Sequence, residues 1–160
     1  MGQLKKISLT TEKVLEAYGV VSTAKYSKLD DVDKVKVWKI GRALKPVADK
    51  FADDRDNAAK KLLPTEDFEE RRAKAQQYQA MLGDKQADMT QAPMTPSEFW
   101  KFFNENIAYN KTLNDALKDF GKKEVEVEFE PLSEEAFGKL MSSNDWTFDF
   151  ALKLSDIICG

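Results

Sequence analysis

The side chains best placed to do chemistry are four glutamates, Glu124, Glu126, Glu128 and Glu130, at every second position of the run KKEVEVEFEP. Carboxylates at that density invite a divalent-cation site or a general acid and base. Both need convergence: calcium takes about six to eight oxygens from a folded loop, and paired catalytic carboxylates need a pocket. Alternate residues of one strand instead hold their carboxylates along a line. A charged strand face that discourages unwanted edge pairing is the simpler account. The chain has no histidine, and its single cysteine, Cys159, reads as an incidental thiol at a helix end. The commonest general base, the Cys and His sets of structural zinc, and histidine-activated nucleophiles are therefore missing. Remaining chemistry would require two or more of Tyr18, Tyr78, Tyr109, lysines or carboxylates to meet in a concave site with perturbed acidity. We expect a protein that is not an enzyme, with no cofactor, no metal and no small-molecule substrate.

The glutamates need a strand to carry them, and the same run supplies one. Val125, Val127 and Phe129 alternate with the acids, so one face is apolar and the other charged. One strand cannot stand alone. The segment from Gln3 to Leu9 is the best mate, with Lys5 or Lys6 able to answer some of the glutamates. Failing that, another subunit or partner could add the strand.

Residues 31–62 dominate the rest. Val37, Ile40, Leu44, Val47, Phe51 and Ala58 keep a three-then-four spacing, which predicts one apolar stripe along a helix of roughly 45 Å. Trp38 lies just off the stripe and would widen its buried face. Pro46 inside it predicts a kink or two helices end to end. Part of so long a stripe could meet something other than its own chain, so Val37, Trp38, Leu44 and Phe51 are candidate interface residues.

The other elements have local signals. Thr10 is a plausible N-cap for a helix to about Ala24, with Val14, Leu15, Tyr18 and Val21 inward. Asp30 or Asp31 caps the long helix, and Pro64 ends it. Thr65 with Glu66 and Asp67 begins the next helix, which stops at Gly83 as a C′ residue; Phe68, Ala75, Tyr78 and Leu82 face one way, while Glu69, Glu70, Arg71, Arg72 and Lys74 face water. Residues 84–94 read as a flexible loop. Thr95, Pro96 and Glu98 form a capping box with proline at N1. A helix follows to Phe120, with a crowded aromatic start that includes Trp100 and Phe103. Those two belong either to the core or to a partner groove. Ser133 caps a short helix with Phe137 and Leu140 inward, and Trp146, Phe150, Leu154 and Ile157 describe a last amphipathic one.

A chain of 160 residues with 42% hydrophobic and 33% charged residues can bury a core of its own. We read residues 1–160 as a single domain of α+β class, mainly helical, with long antiparallel helices and a minor two-stranded sheet. No run is apolar enough to span a membrane, and no h-region marks a signal peptide. Residues 1–61 carry 14 Lys and Arg against 9 Asp and Glu, and residues 62–160 carry 11 against 19. Such a split favours intramolecular or head-to-tail attraction, and we do not expect nucleic acid to be the partner.

Taken together, KVWKIGRALKPVADKFADDRDNAAKKL and EVEVEFEPLSEEAF resemble a group of small uncharacterised proteins encoded by tailed phages and prophages. The shared pattern is K-(x)3-I-(x)3-L-(K/R)-P, here Lys36, Ile40, Leu44, Lys45 and Pro46, followed later by an EVE strand and a proline. The likeness covers about residues 4–62 and 122–157 and transfers no catalytic residue. It implies a phage or prophage origin and a non-enzymatic role in the virion or the host cytoplasm. The function expected is a structural or assembly protein acting through homo-oligomerisation and contacts with other phage or host proteins. The alternative is an acidic binder that inhibits a host or defence protein, with carboxylates 66–70 and 124–135 as its surface.

Overall fold

A computed structural model describes residues 3–160. Among them are six α-helices, one short 3₁₀ turn and a two-stranded antiparallel sheet, so the chain is mainly helical α+β. It divides into two compact units, Met1–Asp54 with Asp119–Gly160, and Arg55–Lys118. Where the sequence reads as one domain, the apolar side chains gather in two clusters, one in each unit.

In the first unit, β1 (Lys5–Thr10) pairs with β2 (Glu124–Phe129). Ile7 stands opposite Val127 and Leu9 opposite Val125, so both strands turn their apolar sides to one face. The expected mate is therefore the actual one. Thr10 caps α1 (Thr11–Thr23) by accepting from the Lys13 amide at 3.3 Å. Asp30 does the same for α2 (Asp31–Lys61), accepting from the Asp33 amide at 2.9 Å. Pro46 sits on the exposed side of α2, and the helix runs unbroken past it rather than splitting in two.

Two small capping signals and a set of long-range hydrogen bonds set the tail of this unit. The Ser133 hydroxyl accepts from the Ala136 amide at 3.1 Å to start α5 (Glu134–Ser142). Thr147, a cap not anticipated, starts α6 (Phe148–Ile158) by accepting from the Phe150 amide at 3.3 Å. Beyond α6 the Leu132 amide donates to the Ile158 carbonyl at 2.8 Å, and Lys5 donates to the carbonyls of Asp156, Ile157 and Cys159. Cys159 does stand at a helix end, as the C-cap of α6, and it is buried, which pushes its thiol pKa up.

The second unit is built by α3 (Phe68–Leu82), the 3₁₀ turn Met89–Gln91, most of α4 (Pro96–Lys122) and the last turns of α2. The capping box is complete: the Glu98 amide donates to the Thr95 hydroxyl at 3.1 Å, and the Thr95 amide to the Glu98 carboxylate at 3.2 Å. Residues 84–94, read as a flexible loop, are held by Asp84 on the Gln86 amide, Asp88 on the Thr90 amide, and a buried Met94. Gly83 closes α3 in right-handed backbone, not the left-handed form a C′ glycine usually takes. Leu82 is exposed instead of inward. Arg71 and Arg72 do not simply face water: both guanidiniums lie over the Phe68 ring, at 5.9 and 5.2 Å from its centre.

Candidate interaction surface

The structure separates the residues that the sequence groups together. Val37 and Leu44 are completely buried, packed with Val14 and Val21 of α1 and Leu140 of α5 in the first cluster, so they present no surface to a partner. That corrects the expectation that the start of the long stripe is an interface: the chain covers it itself. Trp38 is the reverse case. It was expected to widen the buried face, yet it is 56% exposed, with the Arg42 guanidinium 4.8 Å from its ring centre. Phe51 is half-buried and lines a cleft of about 380 Å³ with Val47, Phe120 and Val125.

Glu124, Glu126 and Glu128 occupy the exposed face of β2, as the alternation requires, and Glu130 is half-buried just beyond it. Lys6 pairs with Glu126 at 3.1 Å and Lys36 with Glu130 at 3.5 Å. Glu126 and the neighbouring Glu128 in turn hold the Lys6 ammonium pKa above its ordinary value. Among the described residues no group of three or more His, Cys, Asp or Glu side chains could hold a metal ion. Glu66, Glu69 and Glu70 belong to the second unit and the strand glutamates to the first.

The tyrosines are divided between the two units. In the second cluster Tyr78 stacks on Phe99 with ring centres 4.7 Å apart, and the Tyr109 hydroxyl donates to the Ala59 carbonyl at 2.6 Å. In the first unit Tyr18 lines a small cleft of about 220 Å³ beside Tyr26, whose hydroxyl donates to the Val21 carbonyl and whose pKa burial raises.

Trp100 and Phe103 remain, and they form part of a ridge. Trp100, Phe103 and Ile107 recur at three and four residues on α4 and are 58%, 44% and 54% exposed. Their side chains stand on one flank of a helix whose other flank, Phe99, Phe102 and Tyr109, is buried. The ridge is well supported. Trp100 meets Phe99 and Phe103 edge-on, each at 5.4 Å, and behind them Phe68 lies 5.0 Å from Phe102. Arg71 stays close to these rings and donates to Glu105 at 2.7 Å, which pins the next turn of the helix. Ile107 was missed in the sequence, although its spacing from Trp100 and Phe103 was there to be read.

A second apolar feature was missed as well. Between α5 and α6 lies a cleft of about 450 Å³ lined by Phe137, Met141, Phe148, Ala151 and Leu152, with Lys5, Glu134 and Asp156 among its charged groups. Phe148 on its edge is 77% exposed and Leu152 49%. The four-residue spacing of Phe148 and Leu152 signals a second apolar face on the last helix, beside the one formed by Leu154 and Ile158. No helix among the described residues is long and apolar enough to cross a membrane. No protein-family model, no curated protein and no solved structure matches the chain.

Proposed function

We propose that this chain is a non-enzymatic assembly protein of phage or prophage origin, acting in the virion or the host cytoplasm by binding further copies of itself. The supporting observation is the exposed Trp100, Phe103 and Ile107 ridge on α4. Its three half-exposed side chains offer roughly 300 Å² of apolar surface, the size of the largest patch on a typical monomer and often a functional one. Covering it would contribute about 7 kcal/mol at about 25 cal/mol per Å². Association itself costs about 4 to 15 kcal/mol. The ridge therefore needs a partner that brings matching apolar surface of its own. The acidic-binder reading draws less support, because Lys6 and Lys36 already offset Glu126 and Glu130.

Sedimentation of the wild-type protein beside Trp100→Glu tests this reading. Trp100 is mostly exposed, so the variant keeps its fold. The wild type is expected to sediment as an oligomer and the variant as a single chain. Monomeric behaviour of both would remove the proposal.

A further inference from the structure

The ridge needs a complementary surface to receive it. Two ridges set against each other leave gaps, whereas a helical ridge beds well in a cleft between two helices. The edge of the cleft between α5 and α6 carries strongly exposed apolar side chains, Phe148 and Leu152, with Met141 39% exposed beside them. Those three offer roughly the same 300 Å² as the ridge. One joint would bury roughly 600 Å² of apolar surface. At the usual apolar share of about 60% this implies an interface of about 1,000 Å², the lower end of specific association.

Charge agrees with shape. One turn beyond Ile107, on the same line of α4, stands Lys111, which has no ion pair among the described residues, while Glu105 on another line is paired with Arg71. In the cleft the Lys5 ammonium, held by three carbonyls, is outnumbered by the carboxylates of Glu134 and Asp156. The free lysine of the ridge and the acidic excess of the cleft are therefore opposite in sign.

Building on the self-assembly reading, we propose that the α4 ridge of one copy seats in the α5–α6 cleft of a second copy. The contact is heterologous: of two joined copies, one keeps its cleft free and the other its ridge. Copies therefore add head to tail, into a ring if the rotation closes and a filament if it does not.

Complementation between two variants tests this. Trp100→Glu places a carboxylate on the ridge against Glu134 and Asp156. Phe148→Lys places an ammonium in the cleft against Lys111. Each alone is expected to be a monomer by light scattering at roughly 100 µM, far above the Kd of a micromolar joint. Mixed in equal amounts, they are expected to give a species of twice the 18.2 kDa chain mass that grows no further, because one ridge and one cleft remain intact. Ile107→Glu and Leu152→Lys repeat the pair if either first variant loses its helical circular dichroism. If Phe148→Lys and Leu152→Lys assemble like the wild type, or folded ridge and cleft variants stay monomeric when mixed, the head-to-tail contact is overturned. In the first of those cases self-assembly itself survives. A wild-type protein that is monomeric at the same concentration overturns both.

Discussion

Thr95 and Glu98 close two reciprocal hydrogen bonds at the start of α4, and this pair was fully legible because a capping box depends only on neighbours three residues apart. Thr95→Ala is expected to cost about 1 kcal/mol in urea unfolding. The Thr95 amide, and then its hydroxyl, hold the Glu98 carboxyl below its ordinary pKa of 4.5. A lowered folded-state pKa stabilises the fold above the unfolded value, and that contribution is lost as pH falls through the folded one. The gap between wild type and variant should therefore narrow in acid below about pH 4.5. Cys159 works in the opposite sense. Burial raises its thiol pKa above 9.0, so its contribution is present below that value and lost as pH rises through the folded one. Its labelling by a thiol reagent should be at least about tenfold slower in the native protein than in urea. The fate of this residue was not legible, because the Leu132 and Lys5 partners that bury the C-terminal segment lie far away in sequence.

At the scale of elements, periodicity located the faces and left open what covers them. Val37, Ile40 and Leu44 keep the spacing of a buried stripe and are buried. The same spacing cannot tell a partner chain from α1 and α5 of the same chain, which is why an interface was expected there. Trp38 shows the limit more sharply: a residue beside a stripe is buried only if some neighbour is tall enough to reach it, and here only Arg42 comes over the ring. The strand pairing was legible, since alternation and opposite charge on two short segments leave few registers. Pro46 makes a direct test within α2. Because it is exposed and the helix continues through it, Pro46→Ala should restore the missing hydrogen bond and raise stability by about 2 kcal/mol. A loss of stability on denaturant unfolding would show that the proline geometry is required.

At the scale of the whole molecule, the boundary between units falls inside both α2 and α4, with α2 supplying the first cluster and α4 the second, and the apolar period of each helix runs on without a mark there. One continuous stripe looks the same in sequence whether it serves one core or two. Phe68→Ala should therefore cost about 3 to 5 kcal/mol and act locally. Amides of Ala75, Tyr78 and Phe102 should lose hydrogen-exchange protection, while those of Val14, Leu44 and Leu140 keep theirs. The ridge and the cleft belong to this scale too, because an exposed apolar face has meaning only for what it meets. The absolute mass of the unmodified protein by light scattering, over a range of concentrations and at low and high salt, tests self-assembly most directly. A mass above 18.2 kDa that rises with concentration, and that high salt lowers without abolishing, is expected from an apolar joint flanked by opposite charges. A mass that stays at 18.2 kDa throughout would contradict it.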